Sequence, residues 1–315
     1  MSLTIGVDIG GTKIAAGVVD EDGTILTRAR RETPATDPDQ IEDQVAEVVA
    51  ELRARHDVDA VGVAAAGFVD SARGVVLFAP NLAWRDEPMM GDLQRRIGLP
   101  VRLENDANAA TWGEFRFGAA RDVDDMVMLT VGTGLGGGIV ADGRLLRGAH
   151  GIGGELGHMR IVPEGIRCGC GNRGCWEQYA SGSVLTREAR ELVASGSLHA
   201  ERLSELCGGR AENLRGAMVT QAAREGDPAA TELLADLGRW LGEGMASVAA
   251  VLDPAVFVLG GGVVEAGDLL VAPARATLAR NLPARGHRPA VGVEAATLGN
   301  AAGVIGAADL ARATR

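Results

Sequence analysis

Residues 3–23, LTIGVDIGGTKIAAGVVDEDG, predict two antiparallel strands joined by a glycine turn and followed by a hairpin. Leu3–Ile9 and Ile14–Val19 are the two apolar segments, and Gly10 and Gly11 lie in the turn between them. A dinucleotide-binding domain starts differently, because its glycine turn leads into a helix. The opening therefore predicts an α/β fold of another type, with a turn whose backbone can come close to a ligand.

A second stretch repeats this layout, since residues 126–143 are MVMLTVGTGLGGGIVADG. Met126–Val131 and Leu135–Ala141 predict strands on either side of a Gly-Thr-Gly turn. Five of the seven residues from 132 to 138 are glycine, and each glycine costs about 0.5–1 kcal/mol relative to alanine. Because a plain hairpin needs only one or two glycines, the excess indicates a backbone held against a ligand. The duplication predicts one such unit in each of two domains.

The composition fits a folded protein of two domains. The length of 315 residues exceeds that of one typical domain, and 46% hydrophobic residues allow a sizeable core. The net charge of −11 argues against nonspecific nucleic-acid binding, although glycine loops and helix N-termini can still bind phosphate. The sequence shows neither a signal-peptide pattern nor a run of about 18 apolar residues. We therefore expect a cytoplasmic protein that binds neither nucleic acid nor a membrane.

The rest of the chain alternates predicted strands with predicted helices. Asp37–His56 has apolar residues at helical spacing, Asn105–Phe115 predicts another helix, and helices dominate from Ala180 to Leu252. Gly148–Glu177 is rich in glycine and is predicted to be irregular. Further strands are predicted at Val58–Ala65, Val101–Glu104, Ala255–Leu259 and Val291–Ala295, and further helices at Gly91–Ile97, Gly267–Arg280 and Asn300–Arg312.

The domain boundary is expected near Phe117–Asp125, between two apolar blocks. We expect a small N-terminal α/β domain of residues 1–117 and a larger C-terminal α/β domain of residues 118–299. Residues 300–315 are expected to complete the N-terminal domain as a returning helix.

The first glycine turn, Asp8-Ile9-Gly10-Gly11-Thr12-Lys13, is a candidate phosphate-binding segment. Its glycines allow backbone N–H groups to approach phosphate oxygens. Asp8 is a candidate ligand of Mg²⁺ through water, because Mg²⁺ keeps much of its hydration shell. The alternative is a simple hairpin turn capped by Asp8 and Thr12.

The second glycine turn is a candidate partner of the first, since two such turns can hold a triphosphate from two domains. Thr133 adds a hydroxyl that can reach a phosphate. A later glycine run after Leu259 predicts either the floor of a nucleotide pocket or a site of close helix–strand packing. The candidate nucleotide residues are Gly132, Thr133, Gly134, Gly136, Gly137, Gly261 and Gly262.

Asn105 and Asp106 come where a predicted strand passes into a predicted helix. Both residue types cap helices well, so the segment alone favours a helix N-cap. A carboxylate at the end of a strand can instead orient an attacking hydroxyl and accept its proton. Because two phosphate turns accompany it, we favour the general-base function for Asp106.

A zinc site is predicted from His158 together with Cys168, Cys170 and Cys175. Three thiolates and one imidazole suit tetrahedral Zn²⁺ with every position filled, which is typical of a structural site. The glycines between the cysteines allow the tight turns that bring the three thiolates to one ion. The alternative is three free thiols in a loop.

Glu155 and Glu177 flank this predicted metal site. A metal would stiffen the loop and direct both carboxylates, and His158 could use its second ring nitrogen to contact a sugar hydroxyl. The alternative for the two glutamates is a solvated surface. Their placement at the two ends of the site favours sugar binding.

These segments together resemble the ROK family of sugar kinases and repressors, and the resemblance covers nearly the whole chain. It rests on the motifs DIGGTK (residues 8–13), LENDAN (103–108), GTGLGGG (132–138), GELGH (154–158) and CGCGNRGCWE (168–177). The last motif is the most specific of them.

The resemblance implies an α/β, two-domain actin-like ATPase (ribonuclease H-like) fold with ATP and sugar in an interdomain cleft. It implies that Asp106 is the catalytic base and that His158 and the three cysteines bind structural zinc. Family members are commonly homodimers or homotetramers. The implied sugar contacts are Gly67, Asn81, Asn105, Asp106, Glu155, His158 and Glu177.

The reaction implied by the resemblance is transfer of the γ-phosphoryl group of ATP, bound with Mg²⁺, to the 6-hydroxyl of glucose. Kinases for mannose, fructose or N-acetylglucosamine are alternatives, as is a sugar-sensing regulator without catalysis. Regulators of the family carry a helix-turn-helix module before the kinase-like part, whereas here the first strand begins at residue 3. We therefore expect an enzyme, and polyphosphate stays open as the phosphoryl donor.

Overall fold

The computed structural model describes residues 2–79 and 82–312. The strands are β1 (Thr4–Ile9), β2 (Lys13–Val19), β3 (Ile25–Glu32), β4 (Ala60–Ala65), β5 (Phe68–Val69), β6 (Val76–Phe78), β7 (Arg85–Glu87), β8 (Val101–Asn105), β9 (Met126–Val131), β10 (Leu135–Ala141), β11 (Arg144–Leu145), β12 (Val256–Gly260) and β13 (Gly292–Ala295). The α-helices are α1 (Pro38–Arg53), α2 (Met89–Ile97), α3 (Asp106–Phe117), α4 (Gly182–Ala194), α5 (Glu201–Leu206), α6 (Gly216–Arg224), α7 (Pro228–Leu252), α8 (Asp268–Asn281) and α9 (Ala302–Arg312).

The chain forms two compact units. The first unit takes the residues up to Met126, the segment Gly138–Gly154 and the residues from Ala296 onward, and the second unit takes Val127–Gly137 and Glu155–Ala295. The predicted domain ranges, 1–117 with 300–315 and 118–299, stay a proposal. The observed units differ from them mainly in Gly138–Gly154, which belongs to the first unit.

The first sheet has the strand order β3-β2-β1-β4-β8. Strands β1, β4 and β8 are parallel, and the antiparallel pairs β1–β2 and β2–β3 form the N-terminal meander. Across the parallel strands Ile9 pairs with Ala65, and Ala65 pairs with Asn105. The segments that follow these three strands therefore leave the sheet at one edge.

Helix α9 packs directly on this sheet, because two strand glycines give it room. A Cβ atom added at Gly6 would lie 1.8 Å from the backbone oxygen of Val304, and one added at Gly62 would lie 1.8 Å from that of Ala307. Gly6 and Gly62 are register partners on β1 and β4. Any side chain at either position would force the helix away from the sheet.

Helix α1 begins at a strong sequence signal. The Asp37 side chain accepts a hydrogen bond from the N–H of Gln40, and Pro38 occupies the first helical turn. The buried face of the helix carries apolar residues at helical spacing, and these residues join the core of the first unit. They are Ile41, Val45, Val48, Val49 and Leu52.

The second sheet has the order β11-β10-β9-β12-β13, and β12 and β13 are parallel. Helices α4 to α8 belong to the second unit. The longest of them, α7, has 25 residues and starts at the Asp227 cap. None of the helices in the described ranges combines the length and apolar character needed to span a membrane.

Most predicted strands and helices are confirmed to within three residues at each end, and Gly148–Glu177 is irregular as predicted, with only short 3₁₀ turns. The small sheet β5-β6-β7 was not predicted. Its strands have two or three residues each, which is too short for an alternating pattern to be visible.

Candidate active site

One edge of the first sheet holds the predicted residues of the first unit. Gly10 follows β1, Gly67 follows β4 and Asp106 follows β8, and the three strands are parallel and in register. In open α/β sheets, ligands bind beyond the carboxyl ends of the strands. The fold therefore brings the first glycine turn and the candidate base to the same edge.

The first glycine turn is a hairpin between β1 and β2. The N–H of Gly10 donates to the carbonyl oxygen of Lys13 at 3.0 Å. The Thr33 hydroxyl donates to the carbonyl oxygen of Gly10 at 2.8 Å, and its N–H donates to that of Thr12 at 3.3 Å. Thr12 itself is exposed. The turn is thus a hairpin held by bonds to Lys13 and from Thr33, and its phosphate-binding function stays a proposal.

Two carboxyl groups of this edge have raised pKa values. The pKa of Asp8 is raised from 3.8 to about 6: burial is the largest cause, the charge of Asp106 adds to it, and the charge of Lys13 opposes both. Burial also raises the pKa of Asp106, while hydrogen bonds from the backbone of Ala107 and the side chain of Asn105 lower it. A carboxylate with a raised pKa is a better proton acceptor at neutral pH, as a general base requires.

Asn105 caps α3, as the sequence suggested. Its Oδ1 accepts from the N–H of Asn108 at 3.0 Å, and its Nδ2 donates to the carbonyl oxygen of Gly67 at 3.0 Å. These bonds connect the end of β8 with the segment that follows β4. Asp106 is the next residue, half-buried in the first turn of α3.

The second glycine turn lies against the N-terminus of α4. The N–H of Gly182 donates to the carbonyl oxygen of Gly132 at 2.7 Å, and the Ser183 hydroxyl donates to that of Thr133 at 2.7 Å. The N-terminus of a helix carries partial positive charge, which suits an anionic ligand. The turn and α4 together form a candidate phosphate site within the second unit.

A cavity of about 780 Å³ opens at this site. This volume is in the range of small-molecule and cofactor pockets. Gly132 and Thr133 of the turn line it, as does Gly262 of the late glycine run. Lining residues that the sequence did not single out include Ser183, Thr186, Arg190, Thr220, Val263 and Glu265.

The late glycine run serves packing and the cavity at two adjacent positions. Gly261 has a φ of +91°, and a Cβ atom there would lie 2.5 Å from the backbone oxygen of Val131. Gly262 has no heavy atom within 4 Å of its Cβ position and lines the cavity. Gly261 is therefore needed for close packing against β9, and Gly262 stays a candidate contact of a nucleotide.

The predicted zinc ligands form one cluster in the second unit. The donor atoms of His158, Cys168, Cys170 and Cys175 all lie within 4.8 Å of one another. The sulfur atoms of Cys170 and Cys175 are 3.6 Å apart, and His158 Nδ1 lies 3.7 Å from the sulfur of Cys168. Ligands about 2.0–2.3 Å from a tetrahedral zinc ion lie about 3.3–3.8 Å apart, so this donor set fits zinc.

The loop that carries the cluster is anchored by a buried tryptophan. Trp176 has no exposed surface, its Nε1 donates to the carbonyl oxygen of Trp240 at 2.8 Å, and its backbone N–H donates to that of Met159 at 2.8 Å. Glu177 follows directly, and its Oε1 lies 3.0 Å from the sulfur of Cys168. Glu155, at the other end, is exposed.

The candidate residues fall into two groups by unit. The first unit holds Asp8, the turn at residues 10–13, Gly67, Asn105 and Asp106. The second unit holds Gly132, Thr133 and Gly134 of the second turn, Gly136 and Gly137 at the start of β10, Glu155, the zinc cluster, Glu177, Gly261 and Gly262. Asn81 lies outside the described residues. The start of α4 could have been predicted from Ser181, a residue type that caps helices. Its hydroxyl oxygen accepts from the N–H of Val184.

Comparison with known proteins identifies close relatives. The sequence profile of the ROK family matches residues 4–314. A glucokinase from Streptomyces coelicolor is 49% identical over 312 residues, which cover 99% of this chain and 98% of that protein.

Solved structures give the same result. The crystal structure of a ROK family glucokinase from Streptomyces griseus in complex with glucose and AMPPNP is 50% identical, with a TM-score of 0.89, and the match covers 99% of this chain and 100% of that chain. The ROK hexokinase from Thermus thermophilus is 35% identical with a TM-score of 0.81, covering 99% and 98%. The predicted actin-like ATPase fold is thereby confirmed. The chain belongs to the ROK family.

Proposed function

We propose that this protein is a glucokinase, which transfers the γ-phosphoryl group of ATP to glucose and forms glucose 6-phosphate. Similarity over nearly the full chain to glucokinases of two Streptomyces species supports this reaction. The observation that carries it is the half-buried carboxylate of Asp106, with a raised pKa, at the sheet edge that also holds the first glycine turn.

Asp106 is the proposed general base. Phosphoryl transfer needs a group that orients the attacking hydroxyl and takes its proton as the new bond forms. The N–H of Ala107 donates to Asp106 Oδ1 at 2.9 Å, so one carboxylate oxygen is fixed by the helix. The proposed base is thus oriented before substrate binds, which reduces the entropic cost of the transition state.

The 780 Å³ cavity of the second unit is the proposed nucleotide site. The N-terminus of α4 supplies a positive dipole end for phosphate, and Thr133 of the turn supplies a hydroxyl. The first glycine turn, with Gly10, Gly11, Thr12 and Lys13, is a second proposed phosphate contact. Mg²⁺ supplied with ATP offsets phosphate charge, and Asp8 is the residue proposed to hold it through water.

The sugar contacts are proposed on the family resemblance. In the first unit they are Gly67, Asn105 and Asp106, together with Asn81. In the second unit they are Glu155, His158 and Glu177. The His158 nitrogen that lies near the cysteines is Nδ1, so Nε2 is the atom proposed to contact a hydroxyl.

Zinc is the proposed occupant of the Cys₃His cluster. His158, Cys168, Cys170 and Cys175 would fill all four positions of a tetrahedral ion, which leaves no open site for Lewis-acid chemistry. The metal would stiffen a loop that has almost no regular structure and thereby hold Glu177 and His158 in place.

Three further expectations from the sequence stay proposals. The chain acts in the cytoplasm, forms a homodimer or homotetramer, and divides functionally near residues 117–118 and 299–300. Light scattering on purified protein tests the assembly state.

A coupled assay tests the function. Purified protein is mixed with ATP, Mg²⁺ and glucose, and both ADP and glucose 6-phosphate are measured. Mannose, fructose and N-acetylglucosamine in place of glucose, and polyphosphate in place of ATP, define the substrates. Equal or higher kcat/KM with another hexose would reassign the sugar, and no ADP with any hexose would remove the kinase function.

A further inference from the structure

The side chain of Glu104 is buried beside the proposed base, and both of its carboxylate oxygens accept hydrogen bonds. Only 3% of Glu104 is exposed. Its Oε1 accepts from the backbone N–H of Asn105 at 3.2 Å and from Nδ2 of Asn108 at 3.1 Å. Its Oε2 accepts from Nε of Arg147 at 2.6 Å. A buried carboxylate needs such donors, because leaving water is costly for a charge.

Two of these donors belong to the segment that carries the base. Asn105 precedes Asp106, and Asn108 lies in the first turn of α3. The two asparagines also bond each other, since Asn105 Oδ1 accepts from the N–H of Asn108 at 3.0 Å. Glu104, Asn105 and Asn108 therefore form a closed ring of hydrogen bonds around the start of α3.

The ring determines where the Asn105 side chain lies. With Oδ1 on the N–H of Asn108 and Nδ2 on the carbonyl oxygen of Gly67, its amide has one orientation. The Asn105 amide also lowers the pKa of the neighbouring Asp106 carboxyl group, whose Oδ1 accepts from the N–H of Ala107. A change at Glu104 can thus reach Asp106 through Asn105 without any direct contact.

Arg147 holds the other side of Glu104 and has 23% of its side chain exposed. Arg102 lies two residues before Glu104 on β8, and Arg73 shares the same surroundings. Burial lowers the pKa of Arg73 and Arg102, and the charge of Arg147 lowers it further. The charge of Glu104 raises the pKa of both. Glu104 is therefore a carboxylate that offsets the charge of three guanidinium groups.

We propose that Glu104 is a positioning residue for the phosphoryl transfer: held by Arg147, it fixes Asn105 and, through Asn105, the carboxylate of Asp106. This inference rests on the proposed function. The competing explanation is that Glu104 only stabilises the start of α3, as many buried acids do.

Glu114 provides a matched control at the other end of the same helix. It has no exposed surface, and its carboxylate accepts hydrogen bonds from Ala119, Thr297 and Leu298 at 2.7–3.2 Å. Glu104→Gln and Glu114→Gln remove the same charge from two buried, fully bonded positions on α3 or beside it. A purely structural role predicts the same kind of effect from both.

The experiment compares kcat, KM for glucose, KM for ATP and the pH profile of kcat/KM in the wild type and both variants, with unfolding temperatures for each. Glu104→Gln is expected to lower kcat/KM for glucose by about 10- to 100-fold and to leave KM for ATP within twofold. Its acidic limb is expected to move, because the Asn105 amide that lowers the pKa of Asp106 is no longer held in place. Asp8, whose charge interacts with that of Asp106, and Lys13, which acts on Asp8, are unchanged in all variants.

Glu114→Gln is expected to lower the unfolding temperature while its kinetic constants and acidic limb stay as in the wild type. If Glu104→Gln does not fold, Arg147→Gln takes its place. This change removes the 2.6 Å bond between Arg147 and Glu104 at a partly exposed side chain. Like Glu104→Gln, it should lower kcat/KM for glucose and leave KM for ATP within twofold.

Three results are decisive. A Glu104→Gln enzyme with wild-type kcat/KM and an unmoved acidic limb overturns the positioning role and leaves the kinase function standing. Equal kinetic losses in Glu104→Gln and Glu114→Gln also overturn it, because they point to general destabilisation. A wild type that does not phosphorylate glucose removes the proposed function first, and the positioning role with it.

Discussion

Asp8 and Asp106 lie at the same edge of the first sheet, and the negative charge of Asp106 raises the pKa of Asp8. The sheet explains this proximity. Asp8 pairs with Ala64, Ala64 pairs with Glu104, and Asp106 follows two residues later. Burial is the larger cause of the shift, which brings the pKa of Asp8 to about 6. Two neighbouring carboxyl groups are typical of sites that transfer protons or bind cations. When both are ionised, they lower the free energy of unfolding.

Asp8→Asn is expected to stabilise the protein at high pH while it lowers activity. Because the pKa of Asp8 is raised from 3.8 to about 6 on folding, its contribution to stability is fully present below about pH 4. That contribution is lost as the pH rises through about 6, and the loss at pH 8 is about 2–3 kcal/mol. Urea unfolding without metal or nucleotide measures the stability gained by the variant over the wild type. This gain should be larger at pH 8 than at pH 5. Asp122→Asn, at a side chain with 89% exposure, is the control. If Asp8→Asn changed the free energy of unfolding equally at both pH values, the argument would be contradicted.

Asp106→Asn should fold normally and lose turnover. The amide keeps the shape of the side chain but cannot accept the hydroxyl proton, so kcat is expected to fall by about 10²–10⁴-fold. Circular dichroism and the unfolding temperature verify the fold, and the coupled assay measures kcat. A kcat within tenfold of the wild type would remove Asp106 from the base role.

Cys170→Ala should lose one zinc ion per chain and bind glucose more weakly. Removing one thiolate from a four-ligand site weakens the metal strongly, and the loop has little other regular structure to hold Glu177 and His158. Elemental analysis and calorimetry with glucose measure the two effects. Cys207→Ala is the control, since Cys207 is buried and lies outside the cluster. Unchanged zinc content in Cys170→Ala would refute the assignment.

The sequence predicted what depends on neighbouring residues and missed what depends on distant ones. The glycine turns and the cap at Asn105 are local signals visible in a few consecutive residues, and the Cys₃His set lies within residues 158–175. The 2.6 Å bond between Glu104 and Arg147 joins residues 43 positions apart, and no spacing rule pairs them. The same holds for the contact of Ser183 with Thr133, which places α4 at the cavity.

Gly261→Ala and Gly262→Ala should separate structure from nucleotide binding at adjacent positions. Gly261 has a φ of +91°, and its Cβ position lies 2.5 Å from a backbone oxygen of Val131. Alanine there must strain the backbone and displace β9, so we expect a loss of about 2–4 kcal/mol in the free energy of unfolding.

Gly262 has no heavy atom within 4 Å of its Cβ position, so alanine should leave stability within about 0.5 kcal/mol of the wild type. Because Gly262 lines the cavity, the added methyl group should nevertheless raise KM for ATP by about 3- to 30-fold, or 0.7–2 kcal/mol, and leave KM for glucose unchanged. Urea unfolding and initial rates at varied ATP concentration measure the two effects, and a Gly262→Ala enzyme with wild-type KM for ATP would place the nucleotide elsewhere.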